Sequence, residues 1–472
     1  MSRLERLPGI GGSRHPAPQA ISAAWADRSV GWVLPAALLG AFGGRFGRRA
    51  ALRGLMSVGL GSALSAALAK FAGQPAPTRS EQLRALWPGR RPVATRVSPL
   101  QPAASAIGFA AGAAQEVPLA GAPLAMTALW LAVRRHPHAV KRPGPLLAVV
   151  AAGVLASLAT RRLWPVAPRT PAEIRPALTA VGEEPSPEGE GLTIVVNSSA
   201  GPALRRSPTE ELQERLPGAT VLELEGDAVS QGLEDAARDA RAIGVAGGDG
   251  SINAAAGLAW GARKPLMVVP GGTLNHLARD LGIESVADAV EAVTKGKAVE
   301  VDVATIAGKT FLNTASFGAY VDLVDARERL ESRIGKWPAV VVALTNVLRK
   351  GTPVEVVIDG RRRSVWMIFI GNCRYHPEGF APSWRERLDD GKLDVRVVDG
   401  TQPYARTRLI LAVLTGTLAK SRVYDTWTTQ AMHVKVLDGP IRLARDGETF
   451  DGPPEFDVCK GDRPLHIYVP ER

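Results

Sequence analysis

Residues 243–251 read Ile-Gly-Val-Ala-Gly-Gly-Asp-Gly-Ser, and residues 266–275 read Leu-Met-Val-Val-Pro-Gly-Gly-Thr-Leu-Asn. Each is a short apolar run that breaks into a glycine turn, and each turn opens a stretch of helical periodicity. A strand, turn and helix joined in this way present backbone N–H groups to an anion, and glycine lets the backbone come close to phosphate oxygens. Gly247, Gly248, Gly250 and Ser251 in the first turn, with Gly271, Gly272, Thr273 and Asn275 in the second, are therefore candidate nucleotide-binding residues. Asp249 adds a carboxylate within reach of Mg²⁺ or a ribose hydroxyl.

Outward from these turns the chain alternates strand and helix. Leu192–Val196 reads as a buried strand ending at Asn197, followed by strands at 220–224, 243–246 and 266–269 and helices over 231–241, from Ile252 and from Leu274. This pattern predicts a parallel sheet with helices on its faces. Ser285 and Asp288 have the spacing of a capping box for a helix through Val293. Beyond Val299 the texture turns to strands: 354–358 and 365–370 flank the hairpin signal Asp359-Gly360, and helical stretches at 335–349 and 405–420 interrupt them.

The ordered set Asn197-Ser-Ser199-Ala-Gly201, Gly247–Ser251, Pro270–Asn275, Asp302, Phe311-Leu-Asn313, Leu388-Asp-Asp390-Gly-Lys392-Leu-Asp394 and Asp446-Gly-Glu448 resembles the diacylglycerol kinase catalytic-domain family, which includes bacterial lipid kinases and sphingosine kinases. The resemblance covers about residues 190–472. It implies an α/β nucleotide-binding lobe, a β-rich lobe, and ATP- and Mg²⁺-dependent phosphoryl transfer to a lipid hydroxyl. It also implies roles. Asp446 would orient or deprotonate the hydroxyl, and Glu448 and Asp249 would join it in catalysis. Asn197 and Ser199 would bind nucleotide, and Asp249 and Asp302 would serve the Mg²⁺ network. Leu388, Asp390 and Lys392 would hold a second, lobe-bridging Mg²⁺. The chain departs from the family at Ser198 for proline, Ser251 for threonine, and His276 where many members carry aspartate.

Composition divides the molecule. The net charge is +11, yet residues 1–170 carry only Glu5, Asp27, Glu81 and Glu116 as acids, so the excess sits in the N-terminal third. That balance favours an anionic membrane surface, and no basic run with interleaved aromatics supports nucleic-acid binding. Five apolar runs, 30–46, 51–71, 102–115, 118–133 and 145–158, are punctuated by arginines, and most fall short of a perpendicular span. No cleavable signal peptide is evident at the N-terminus. Cys373 and Cys459 suggest a reducing compartment without disulfides. Cys373 and His376 lack the second pair a zinc site needs.

This N-terminal part resembles, less specifically, a type 2 phosphatidic acid phosphatase membrane domain. Arg84, Arg91 and Arg135 stand at basic positions of that family's motifs, but Leu100, Gln101 and Pro102 replace its Ser-Gly-His, and Lys141 stands where its nucleophilic histidine belongs. A nucleophilic and a proton-donating imidazole are both missing, so the resemblance implies an inert module. His136 and His138 lie nearby at the wrong spacing.

The expected organisation is a tail over 1–29, a degenerate phosphatase-like helical membrane domain over 30–162, a linker over 163–191, an α/β lobe over 192–300 and a β-rich lobe over 301–472. The expected function is a lipid kinase tethered by transmembrane or membrane-associated helices to the cell membrane, its kinase domain cytoplasmic, with a homodimer compatible with either. Two alternatives stand beside it. A kinase acting on NAD shares the Gly-Gly-Asp-Gly turn, and a non-catalytic membrane scaffold would tolerate His276. A dinucleotide-binding dehydrogenase is disfavoured because Asn253 ends what would be its glycine fingerprint.

Overall fold

The apolar, alanine- and glycine-rich runs of the first third form helices. In the computed structural model these are α1 (Val33–Phe42), α2 (Gly44–Phe71), α3 (Gln101–Glu116), α4 (Pro118–Arg135) and α5 (Pro143–Leu163). Residues described are 33–71, 101–135, 143–166, 168, 170–176, 187–199, 208–272, 275–295, 297–318, 353–379, 382, 384–415 and 417–471. Thr273, Arg84, Arg91, the tail 1–29 and the stretch 335–349 lie outside them, as does the side chain of Arg135. The chain divides into two units, 1–167 and 168–472.

In the first unit α2 and α3 pack closely because glycines face the contact. A Cβ on Gly54 would lie 2.7 Å from the ring of Phe109, and one on Gly112 would lie 2.9 Å from the carbonyl oxygen of Arg53. The unit also buries charge. Arg53 donates to Glu116 Oε1 through Nη2 at 2.7 Å and Nε at 3.0 Å, and through Nη1 to Thr160 Oγ1 at 3.3 Å. Arg49 Nε takes the other carboxylate oxygen at 3.2 Å. Among the described residues no helix is long and apolar enough to cross a membrane, which corrects the expectation of transmembrane helices.

The second unit opens with β1 (Leu192–Asn197), α6 (Pro208–Arg215), β2 (Thr220–Leu224), α7 (Asp227–Asp239), β3 (Ala242–Gly247), α8 (Asp249–Ala262), β4 (Leu266–Pro270), α9 (His276–Asp280), α10 (Val286–Thr294) and β5 (Lys297–Val301). Strands β1 to β4 pair in parallel, and every residue of β3 is buried, as a central strand covered on both faces requires. The capping box of α10 is present: Ser285 Oγ accepts the Asp288 N–H at 3.2 Å, and Asp288 accepts that of Ser285 at 2.9 Å.

The antiparallel remainder comprises β6 (Ala304–Ile306), β7 (Lys309–Phe311), β8 (Thr314–Gly318), β9 (Val354–Ile358), β10 (Arg361–Asn372), β11 (Tyr375–His376), β12 (Trp384–Arg385) and β13 (Leu393–Asp399). Helix α11 (Ala405–Thr415) intervenes before β14 (Tyr424–Thr429), β15 (Ala431–Val436), β16 (Ile441–Arg445), β17 (Glu448–Gly452) and β18 (Glu455–Lys460). Strand β15 alternates exposed and buried residues, the mark of a sheet wet on one face. Its buried face joins a core in which Phe317 meets Phe456 edge to face at 5.8 Å.

Two features depart from the expected boundaries. The last strand, β19 (Leu465–Val469), leaves the β-rich lobe and enters the first sheet between β4 and β5, giving the order β2-β1-β3-β4-β19-β5. Its alternate residues Leu465, Ile467 and Val469 are buried there. Part of the expected linker is a strap. Ala172 N–H donates to the Asp280 carbonyl at 2.9 Å, Glu173 N–H to that of Glu386 at 2.7 Å, and Glu300 N–H to that of Arg175 at 3.2 Å.

Candidate active site

Asn197, Gly247 and Pro270 end three neighbouring parallel strands, so the turns that follow gather at one carboxyl edge of the sheet. That edge is where open α/β sheets bind ligands. The two glycine turns touch. Gly271 N–H donates to the Gly247 carbonyl at 2.8 Å, and a Cβ on Gly272 would lie 2.7 Å from Gly248 Cα. Helix α8 starts from Gly248 with no side chain capping it, and the first-turn N–H groups of a helix have no partner within it. An uncapped, glycine-lined helix start has the donors and the room that suit a phosphate.

Asn197 and Ser251 belong to the same edge. Asn197 Nδ2 donates to Ser251 Oγ at 2.9 Å, and its Oδ1 accepts the Ser199 N–H at 3.0 Å. Asn275 is committed differently. At φ +47° its amide closes its own turn, accepting from the Gly272 N–H and donating to the Gly272 carbonyl, both at 2.8 Å. Its side chain therefore shapes the second turn.

Asp249 Oδ1 accepts the His276 N–H at 2.7 Å, tying the start of α8 to that of α9. Burial holds the His276 imidazole below its usual pKa, against the pull of Asp249, so it is neutral near pH 7.

The β-rich lobe brings its carboxylates to this edge on the Asp446-Gly447 turn between β16 and β17. Glu448 Oε1 would lie 3.2 Å from a Cβ on Gly250, so an exposed carboxylate faces the first turn of α8. Asp446, at φ +45°, accepts three backbone N–H groups: Leu312 on Oδ2 at 2.8 Å, and Asn313 and Thr314 on Oδ1 at 2.9 and 2.8 Å. Burial pushes its carboxyl above the usual range, and the N–H groups of Leu312, Thr314 and Asn313 pull the other way.

Arg385 is the residue the sequence does not reveal. All five of its N–H donors are used: Nε and Nη2 on Asp280 Oδ2 at 2.9 and 2.7 Å, Nη1 on the carbonyls of Leu312 and Asn372 at 2.7 and 3.1 Å, and Nη2 on Asn313 Oδ1 at 3.0 Å. It fastens α9 of the nucleotide lobe to the backbone that holds Asp446. Burial opposes its charge, but Tyr375 and Asp280 outweigh that and keep the guanidinium above its usual range.

The residues implied for a lobe-bridging Mg²⁺ lie together with their oxygens already engaged. The Leu388 carbonyl accepts the Asp302 N–H at 2.8 Å, and that of Lys392 accepts the Cys373 N–H at 2.9 Å. Asp390 accepts the N–H groups of Arg374 and Lys392, each at 2.9 Å. Asp302 Oδ2 accepts the Gly391 N–H at 2.7 Å and lies 2.8 Å from Lys460 Nζ. Ligand atoms of Asp302, Asp390 and Cys373 fall within 4.8 Å of one another, but burial pushes the Cys373 thiol far up in pKa and so keeps it protonated. A protonated thiol and an ammonium do not suit a hard cation that takes oxygen ligands. Asp249 opens α8 outside this cluster, and Glu448 faces the neighbouring Gly250; both are carboxylates of the oxygen type that suits Mg²⁺.

Residues 191–306 match the Diacylglycerol kinase catalytic domain family. The chain is 29% identical over 259 residues to the Diacylglycerol kinase of Bacillus subtilis, covering 52% of this chain and 83% of that one. It is 29% identical over 188 residues to a Cronobacter sakazakii protein described as "Probable lipid kinase YegS-like", covering 38% and 62%. A solved diacylglycerol kinase structure from Bacillus anthracis aligns over 62% of this chain and 98% of its own, at 20% identity and a TM-score of 0.42.

Proposed function

We propose that the chain transfers the γ-phosphoryl group of ATP to the hydroxyl of a lipid of diacylglycerol or sphingoid type, from a helical unit that rests on a membrane surface. It is a lipid kinase by its matched catalytic domain and its relatives. The observation that supports the transfer site best is Glu448, on a turn of the β-rich lobe, facing the uncapped start of α8 beside Asp249.

Phosphoryl transfer needs positioning and charge stabilisation more than covalent chemistry. The N–H groups of the first turn of α8, with Ser251 Oγ, would seat the phosphates, and the contact of Gly248 with Gly272 keeps that seat open. Asp249 and Glu448 would hold the Mg²⁺ that neutralises phosphate charge. Asp446 would receive the lipid hydroxyl. Its Oδ2 accepts one N–H, which leaves a lone pair for the incoming proton, and burial makes the carboxylate more basic than a free one. Arg385, through Asn313 and Leu312, holds that carboxylate in place.

The membrane contact is supported by the first unit's exposed apolar side chains, among them Phe42 at 85% and Leu119 at 91% exposure, beside exposed Arg48, Arg161 and Arg162. With no catalytic histidines at its phosphatase-like motifs, this unit would bind lipid without chemistry.

The test is transfer of label from γ-radiolabelled ATP to a total lipid extract with Mg²⁺, comparing the native chain with Glu448→Gln. A labelled lipid that disappears in the variant supports the assignment. ATP binding without any labelled lipid, or label on a soluble acceptor such as NAD, sinks it.

A further inference from the structure

Beside the residues implied for the lobe-bridging Mg²⁺, Asp302, Asn372 and Cys373 converge on a side chain no motif contains. Lys460, the last residue of β18, is 90% buried and extends its ammonium among three acceptors. Nζ lies 2.8 Å from Asp302 Oδ2, 2.5 Å from Asn372 Oδ1 and 3.7 Å from Cys373 Sγ. An ammonium has three N–H donors, so these acceptors satisfy it. Each acceptor is itself anchored. Asp302 follows β5 and takes Gly391 N–H, and Asn372 ends β10 and donates through Nδ2 to the carbonyls of Asp302 and Leu312 at 2.7 and 3.0 Å. The cation thus sits where the first lobe ends and the second begins.

We propose that the Lys460 ammonium is the built-in cation of the Asp302–Asp390–Cys373 cluster at the lobe junction, taking the place a divalent metal would have beside Asp302. The charge balance supports this. Asp302 and Asp390 bring two carboxylates to the cluster, and Lys460 neutralises one while backbone N–H groups solvate the other. A divalent ion entering the cluster would have to displace the ammonium from Asp302. Only the identity of the place rests on the kinase reading; the competition between ammonium and metal does not.

The experiment uses the purified full chain without nucleotide and reads thermal unfolding and Mn²⁺ binding by electron paramagnetic resonance. The native chain is expected to bind no Mn²⁺ at this cluster and to unfold at the same temperature in chelator and in millimolar Mg²⁺. Lys460→Met leaves Asp302 without its partner and is expected to lower Tm by about 5 °C. It should also gain a Mn²⁺ site and a saturable Mg²⁺-dependent recovery of Tm. Lys460→Gln, which keeps donors for Asn372, serves as the gentler variant. Saturable stabilisation of the native chain by Mg²⁺, removed by Asp390→Asn, would overturn the proposal. So would lysine variants as indifferent to metal as the native chain. Neither readout requires turnover, so a failed kinase assay leaves the outcome interpretable.

Discussion

At the scale of single residues, the Asp446-Gly447-Glu448 turn holds two carboxylates that differ in how free they are. Glu448 is exposed, so Glu448→Gln is expected to reduce lipid phosphorylation at least tenfold while leaving Tm unchanged. Asp446→Asn is a different experiment. An amide turned toward three backbone N–H groups loses acceptors, and a buried donor without a partner costs about 1–3 kcal/mol. Activity and denaturant midpoint should fall together, and unchanged stability would show that the carboxylate is not held as described. His276 carries a pH signature. Its folded pKa lies below the unfolded value, so the unfolded chain binds its proton first and stability falls as pH drops below about 6.5. His276→Asn should flatten that part of the stability profile, measured by urea unfolding at a series of pH values. These distinctions were only half legible in the sequence. Asp446, Glu448 and Asp249 stand out by motif, but Asn275 reads as a phosphate ligand and serves its own turn. Arg385 has no local signal, because its four partner residues are scattered from Asp280 to Asn372.

At the scale of elements, what could be read is what local physics decides. Strand β3, the hairpin of β9 and β10 and the capping box of α10 follow from apolar runs, an Asp-Gly turn and a Ser/Asp pair three residues apart. The place of β19 could not be read, since an apolar strand carries no record of which sheet it joins, and its partners β4 and β5 lie far back in the chain. The strap at 172–175 was hidden for a similar reason: its bonds are made by backbone, which has no side-chain signature. The meeting of the two glycine turns is the element-scale feature that can be tested directly. A Cβ on Gly272 would fall 2.7 Å from Gly248 Cα and 2.9 Å from Asn275 Oδ1, so either the turns part or the amide moves. Gly272→Ala is expected to weaken ATP binding at least tenfold by calorimetry. Gly261, which has nothing within 4 Å of its added Cβ, gives the control: Gly261→Ala should leave ATP affinity unchanged.

At the scale of the whole molecule, the two units differ in what they expose. The kinase unit gathers two apolar cores and leaves Tyr404, Leu411 and Leu437 exposed, whereas the smaller helical unit exposes a longer set that includes Phe42, Leu119, Met126 and Leu147. Burying such side chains in an acyl layer gains roughly 1.5–3 kcal/mol each, and exposed arginines add about 1 kcal/mol apiece at an anionic surface. On the proposed reading, these terms would drive reversible membrane binding without a spanning helix. A surface-bound kinase meets its lipid at a raised effective concentration, so the helical unit should matter for lipid in vesicles and not for lipid in solution. Replacing Phe42 and Leu119 together by serine is expected to reduce co-flotation with anionic vesicles and to lower phosphorylation of vesicle lipid several-fold. Turnover on a dispersed short-chain analogue should stay the same. If both substrates slow equally, the helical unit acts on the fold of the enzyme. If neither slows, the exposed apolar face has no part in bringing the kinase to its substrate.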